Sequence, residues 1–254
     1  MKNYNKFVPV IKKVLQDDTF KGKNILITGG GTGLGKTMAS FYSNLGGNVI
    51  ISSRKLNVIE NTAQEIKDIT NNKVHAFQLD VRDHNSVTNL KNNLIQNDLF
   101  PDIIVNNAAG NFISPTEKLS YNAWNTVLDI VLKGTIDITL EFGKEMINRN
   151  KGGTFLNISA TYAQTGSSFV VPSSISKAGC DNLVKSLAPE WGKYGIRLLS
   201  IAPGPIFTEG AFSRLDPSGN FQKQITKKLP TGRLGEKEEL ANIVTFLTSD
   251  YANW

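Results

Sequence analysis

Residues 24–35 read NILITGGGTGLG, an apolar run that passes directly into a glycine-rich turn. An apolar run of this kind is typical of a parallel strand buried on both faces. Glycines at 29, 33 and 35 let the backbone approach a ligand closely, and the helix expected from Gly35 offers free N–H groups. This order predicts a pyrophosphate site, although the spacing is not G-x-G-x-x-G and an ordinary tight turn stays an alternative.

Apolar runs alternate with helical patterns along the rest of the chain. The expected strands are residues 24–28, 49–53, 74–79, 103–106, 154–159 and 197–202. The expected helices are residues 35–45, 56–69, 85–96, 121–148, 173–192 and 236 to about 247. Strands and helices that alternate at this spacing predict an α/β fold with one doubly wound, Rossmann-like parallel sheet.

The domain organisation expected from the sequence is simple. Residues 1–22 form an N-terminal arm, and residues 23–254 form a single nucleotide-binding domain without a linker or repeat. Residues 207–233 have no strong period and contain several proline and glycine residues. We expect an irregular segment there that lies on the substrate side, because long connections often cover a site.

Composition excludes several classes of protein. The chain of 254 residues carries a net charge of +6, but 22 of its 28 basic residues are lysine, and there are 26 asparagines. We interpret this excess as a solvated surface, and no basic–aromatic motif indicates nucleic acid. A single cysteine and two histidines argue against disulfides and against a metal site. No apolar run of 18 residues exists, so no membrane span is expected.

The end of the second expected strand indicates which dinucleotide binds. An acidic residue there would accept from a free ribose 2′-hydroxyl, but residues 52–55 read SSRK. A guanidinium pairs well with phosphate, so Arg54 favours a 2′-phosphate and therefore NADPH. The alternative is a surface arginine at a helix start.

Five motifs in order resemble the short-chain dehydrogenase/reductase family. They are the glycine turn, LDV at 79–81, NNAAG at 106–110, Lys177 early in a helix, and PGPIFT at 203–208. The resemblance implies that the cofactor contacts Gly29, Gly31, Thr32, Gly33, Leu34, Gly35, Arg54, Asp80, Val81, Asn107, Lys177, Pro203, Gly204 and Ile206.

The usual catalytic residues of that family are largely replaced. Its tyrosine, four residues before the lysine, is Ser173 here, its serine falls on Ala160, and its asparagine falls on Val131. A serine hydroxyl is far too weak an acid to replace a phenol. Reduction of a simple ketone is therefore not expected.

The altered set resembles the mitochondrial-type 2,4-dienoyl-CoA reductases within the family. The segments NNAAGNFISP, SATYAQTGSSFVVPS, EWGKYG, APGPI and GAFSRLDP carry the match. It implies NADPH-dependent reduction of a 2,4-dienoyl-CoA, a homotetramer and a mitochondrial location. The implied catalytic residues are Tyr162, Asn111, Lys177 and Ser173, and the implied substrate contacts are Arg82, Phe112, Ser120 and Arg214.

Alternatives stay open at this point. The chain could be another short-chain reductase of an enoyl or carbonyl compound, or a non-catalytic NADP-binding protein. Tyr162 could pack in a core, Asn111 could cap a turn, and Ser173 could be a helix N-cap. Members of the family continue into a seventh strand, so we expect this sheet to lack its last edge strand.

Overall fold

A computed structural model describes residues 8–208 and 220–253, and its centre is a parallel sheet. Six strands follow the expected runs closely. They are β1 (Asn24–Thr28), β2 (Asn48–Ser53), β3 (Val74–Gln78), β4 (Ile103–Asn106), β5 (Gly153–Ile158) and β6 (Ile196–Ile201). The sheet order is β3-β2-β1-β4-β5-β6, and all neighbouring strands run parallel. This confirms the doubly wound α/β fold.

The strand order reverses beside β1, and this reversal determines where a ligand can bind. β2 and β3 lie on one side of β1, whereas β4, β5 and β6 lie on the other. The connections after β1 and after β4 therefore leave toward opposite sides. A crevice opens between them at the carboxyl ends of the strands, which is where doubly wound sheets bind their ligands.

Nine helices occur within the described part of the chain. They are α1 (Gly33–Asn44), α2 (Leu56–Thr70), α3 (His84–Gln96), α4 (Tyr121–Leu128), α5 (Gly134–Asn148), α6 (Tyr162–Thr165), α7 (Val171–Trp191), α8 (Asn220–Lys228) and α9 (Lys237–Thr248). Side chains of α1, α2 and α9 form one apolar core against the sheet. Side chains of α3, α5 and α7 form a second core on the opposite face. No helix among these is long and apolar enough to cross a membrane.

Two helical regions differ from the expectation. The helix expected over 121–148 contains a π-turn at Asp129–Lys133, which separates α4 from α5. The segment 207–233, expected to be irregular, contains α8. Within NFQKQITKK, Phe221 and Ile225 are four residues apart, as on one face of a helix, but the flanking proline and glycine residues favour an irregular segment.

The described part of the N-terminal arm, residues 8–22, hydrogen-bonds through its backbone to side chains of α9. The Asn242 side chain accepts from the Val14 N–H at 3.1 Å and donates to the Lys12 carbonyl at 2.8 Å. The Glu239 carboxylate, one turn earlier on α9, accepts from the backbone N–H of Val10. Phe20 at the end of the arm is buried against Tyr42. Alternate residues of the arm thus bond to one face of the helix.

Glu239 joins α9 to the segment before it as well as to the arm. Both of its oxygens accept from the Arg233 guanidinium, at 2.6 and 2.7 Å, and the Glu236 N–H donates at 2.9 Å. These donors lower the pKa of Glu239 to about 2. A carboxyl whose pKa is depressed in the folded state stabilises the fold above its unfolded pKa, and the contribution is lost as the pH falls.

The variant Glu239→Gln should therefore lose stability in a pH-dependent way. We expect the free energy of unfolding to fall by about 1 kcal/mol at pH 7, because the side chain is partly exposed. The difference from wild type should shrink below about pH 4, where the unfolded carboxyl is protonated. Urea denaturation at several pH values measures this. Glu145→Gln, which breaks the ion pair with Arg149 four residues away, is the matched control and should change the free energy of unfolding little. If the loss in free energy of unfolding of Glu239→Gln is the same at every pH, the lowered pKa of Glu239 does not contribute to stability.

Candidate active site

The turn after β1 is shaped by glycines at positions where a side chain would be strained or would clash. Gly29 has φ +67°, in the left-handed region. A Cβ on Gly35 would lie 2.3 Å from the Gly29 carbonyl oxygen and 2.7 Å from Asn107 Nδ2. The turn therefore packs directly against the first residues of α1. Gly33 also has a positive φ, and Leu34 is half-buried against the core.

The N-terminus of α1 is free to receive an anion. Its N-cap, Thr32, is extended and forms no side-chain capping bond, and the first turn has no acidic residue. The first N–H groups of a helix lack intrahelical partners and lie at the positive end of its dipole. Asn107 fixes the turn from β4, because its Nδ2 donates to the carbonyls of Thr28 and Gly29 at 2.9 and 3.1 Å. These features fit a dinucleotide pyrophosphate.

The variant Gly35→Ala should damage this cradle. The added methyl group must displace the backbone of the turn, and such overpacking costs about 1–3 kcal/mol of stability. We expect a lower melting temperature and weaker nucleotide binding, measured by calorimetry and by fluorescence titration. Gly192→Ala is the matched control, since nothing lies within 4 Å of a Cβ there and its backbone is helical. Unchanged nucleotide affinity in Gly35→Ala would contradict the role of the turn.

A cleft at the ends of β2 and β3 continues from the turn. It is lined by Gly29, Ser52, Ser53, Arg54, Leu79, Asp80, Val81, Ala108, Ala109 and Ile130. Arg54 is exposed at its edge. The end of β2 offers the Arg54 guanidinium and no carboxylate, so this side of the cleft suits a phosphate.

Arg82, predicted to contact the substrate, binds Asp80 in the structure. Its Nε and Nη2 donate to the two carboxylate oxygens, and its backbone N–H donates to Asp80 Oδ1 at 3.1 Å. The guanidinium beside Asp80 holds the pKa of that carboxyl below its usual range. Because Asp80 lines the cofactor cleft, this ion pair holds Arg82 beside that cleft.

Tyr162 and α7 form the polar centre beyond β5. The Tyr162 hydroxyl lies 3.1 Å from Ser173 Oγ, and Ser174 Oγ donates to the Tyr162 carbonyl at 2.8 Å. Ser173 is buried in the first turn of α7. The N-cap of α7 is Val170, so the N-cap alternative for Ser173 is wrong. Ser174 was not predicted from the sequence, because no motif distinguishes it from the other serines of this segment.

Lys177 lies one turn after Ser173 and is buried. Its Nζ donates to the Ile158 carbonyl at the end of β5, and burial lowers the pKa of its ammonium group. Nearby, Val131 occupies the position of the missing asparagine in the π-turn. Its carbonyl accepts from Thr135 Oγ1 at 2.7 Å and from Cys180 Sγ at 3.3 Å. The π-turn thus persists without the asparagine, with its carbonyl bonded by neighbouring side chains.

The remaining predicted residues lie on connections at the carboxyl edge of the sheet. Asn111 and Phe112 follow β4 and are exposed, and Asn111 makes no hydrogen bond within the described chain. Ser120 caps α4 by accepting from the Ala123 N–H at 3.1 Å. Pro203, Gly204 and Ile206 follow β6, where Ile206 bridges to Gly235. Arg214 lies outside the described residues.

Comparison with known proteins adds to this geometry. Residues 23–216 match the model of a family described as short chain dehydrogenase. The chain belongs to the short-chain dehydrogenase family. This family implies a nicotinamide cofactor, and the glycine cradle, the free N-terminus of α1 and the cleft beside Arg54 fit one. Clusters that could hold a metal ion are absent from the described residues.

Relatives within the short-chain dehydrogenase family have informative names. A protein of Caenorhabditis elegans, described as a probable (3E)-enoyl-CoA-producing 2,4-dienoyl-CoA reductase, is 44% identical over 100% of this chain and 83% of its own length. A Bacillus subtilis protein, described as a probable (2E)-enoyl-CoA-producing 2,4-dienoyl-CoA reductase, is 40% identical over 91% of each chain. A crystal structure of a Bacillus anthracis short chain dehydrogenase has a TM-score of 0.81 and 38% identity, covering 91% of this chain and 90% of that one.

Proposed function

We propose that this protein reduces 2,4-dienoyl-CoA thioesters to trans-3-enoyl-CoA with NADPH. The observation that supports it most is the Tyr162–Ser173 hydroxyl pair at 3.1 Å, one turn from buried Lys177. The phenol comes from the connection after β5 rather than from α7. This site therefore keeps a phenol, that of Tyr162, which can donate to a substrate oxygen. It lacks the phenol that the family usually places one turn before the lysine. The named relatives support the same activity.

The chemistry explains why the usual tyrosine is dispensable. Reduction of a ketone forms an alkoxide, which needs a proton from a phenol as it forms. A hydride that arrives at C5 of a dienoyl thioester moves electrons through both double bonds to the thioester oxygen. A proton at C2 then completes a 3-enoyl product, so that one hydride and one proton are added. The greatest need is for donors at that oxygen.

The residues of this chain have distinct roles in the proposed reaction. Tyr162 and Asn111 donate hydrogen bonds to the thioester oxygen. Ser173 holds the Tyr162 hydroxyl in position, and Ser174 holds its backbone. Lys177 binds the ribose beside the nicotinamide, and the turn at Pro203, Gly204 and Ile206 lies against the ring. The reduced nicotinamide, when bound, supplies the hydride.

The residues at the edge of the cleft lead us to propose NADPH rather than NADH as the cofactor. Arg54 is exposed where the adenosine ribose would lie, and β2 ends without an acidic residue. Arg82, Phe112, Ser120 and Arg214 are proposed to contact the acyl-CoA. The ion pair holds Arg82 on Asp80 beside the cofactor cleft, so a contact with the phosphates of CoA would compete with that pair. A homotetramer and a mitochondrial location are proposed from the resemblance.

An assay with defined products tests this proposal. Purified protein, NADPH and a 2,4-dienoyl-CoA should show loss of the dienoyl absorbance together with NADPH oxidation. Proton NMR of the product distinguishes a 3-enoyl from a 2-enoyl thioester, which matters because the Bacillus subtilis relative is described as forming the latter. A 2-enoyl-CoA and a simple ketone serve as control substrates and should not react. Turnover of either control without turnover of the dienoyl-CoA would favour another short-chain reductase. Absence of all turnover with intact NADPH binding would favour a non-catalytic protein.

A further inference from the structure

Phe169 has a backbone conformation that aromatic residues rarely adopt. Its φ is +66°, in the left-handed region. The other described non-glycine residues with positive φ are Asp18, Asn71, Asp98 and Asn150. Aspartate and asparagine tolerate this region, whereas a bulky side chain is strained in it. Strained residues of this kind concentrate at functional sites.

The position of Phe169 connects it to both proposed oxyanion donors. It lies between α6, which begins with Tyr162, and α7, which carries Ser173. The Phe169 carbonyl accepts from the Ser114 N–H at 3.0 Å. Ser114 belongs to the connection after β4, three residues beyond Asn111. This hydrogen bond joins the segment of Tyr162 to the segment of Asn111.

Folding does not explain the aromatic side chain at this position. The hydrogen bond uses the backbone carbonyl, so glycine or asparagine would keep it with less strain. Phe169 is 53% exposed and belongs to neither apolar core. Phe112 and Ile113, on the segment that Phe169 bonds, are also about half exposed. Exposed apolar side chains therefore lie on both of the segments that this hydrogen bond joins.

We propose that Phe169 determines acyl-chain specificity, because its ring contacts the apolar chain of the thioester beyond the diene. The inference rests on the proposed function and adds to it a preference for substrates whose acyl chain continues beyond the diene. The strained backbone is kept because it aims the ring toward the chain. Each methylene removed from water strengthens binding about fourfold, so a ring that covers several of them distinguishes long substrates from short ones.

Substitutions that suit a positive φ remove the ring of Phe169 and keep the conformation of the turn, so they test the role of the ring alone. Phe169→Gly and Phe169→Asn both suit a positive φ, and neither should lower the melting temperature. With decadienoyl-CoA we expect kcat/KM to fall about tenfold or more, since the chain loses its contact. With hexadienoyl-CoA, which ends just past the diene, the expected change is less than about threefold. Agreement between the two variants excludes an effect of loop flexibility alone.

Ile69→Ala is the matched control, because Ile69 is an apolar side chain 76% exposed near the end of α2. It should leave the ratio of the two kcat/KM values unchanged. An equal loss with both substrates would show that Phe169 positions the thioester, and no loss with either would show that the ring is idle; both results overturn the inference. If the wild-type protein reduces neither substrate, the proposed function itself fails, and the inference fails with it.

Discussion

Replacement of Tyr162 by phenylalanine is expected to lower kcat for a dienoyl-CoA by about 100- to 1,000-fold. The phenol is proposed to donate to the thioester oxygen, and the charge on that oxygen grows as hydride arrives. Its removal therefore affects the transition state more than the bound substrate, so KM should change far less than kcat. Steady-state kinetics measure both parameters, and fluorescence titration should give an unchanged NADPH dissociation constant.

The control for Tyr162→Phe is Tyr194→Phe. Tyr194 is a partly exposed tyrosine in the 3₁₀ turn after α7, away from the polar centre. It should retain full activity. Ser173→Ala should have an intermediate effect, because it frees the Tyr162 hydroxyl without removing it. A Tyr162→Phe variant with normal kcat would remove Tyr162 from the mechanism and would leave the site without its acidic hydroxyl.

The second large effect is expected for Arg54→Ala, on the choice of cofactor. Hydrogen bonds to charged groups contribute about 1.5–3 kcal/mol, which corresponds to roughly a 10- to 100-fold loss in NADPH affinity. NADH lacks the 2′-phosphate, so its affinity should stay the same. Dissociation constants for both nucleotides at one fixed ionic strength measure the difference, because salt screens the interaction. Lys55→Ala, at the neighbouring exposed position, is the control and should change the affinity for either nucleotide little. Equal losses for NADPH and NADH in Arg54→Ala would contradict the proposed 2′-phosphate contact.

Much of the fold could be predicted because it depends on local patterns. A run such as NILIT must be buried on both faces, and the glycines that follow it require a close approach of turn and helix. The contact of Gly35 with the Gly29 carbonyl is the structural form of that requirement. The helix α8 was not predicted because the proline and glycine residues on both sides of it favoured an irregular segment over its short apolar period.

The site was predicted less completely, for a different reason. Tyr162, Ser173 and Lys177 could be named from motifs, but their mutual hydrogen bonds arise from the way α7 packs beside β5. The same packing brings Ser174 to the Tyr162 carbonyl. Phenylalanine rarely adopts a backbone conformation with positive φ, so no sequence rule would predict that conformation for Phe169. Such conflicts between local preference and structure are most visible where substrate is proposed to bind.

The hydrogen bonds of Asn242 set a limit on how far the chain can be shortened. Both ends of this buried amide bond to the arm, at Lys12 and Val14. A proteolytic cut after residue 14 would leave an acceptor and a donor unpaired inside the protein, at a cost of about 1–3 kcal/mol for each. A cut before Val10 would spare all three arm contacts, including the one to Glu239. Truncated variants that lack residues 10–14 are therefore expected to be less stable than the full chain.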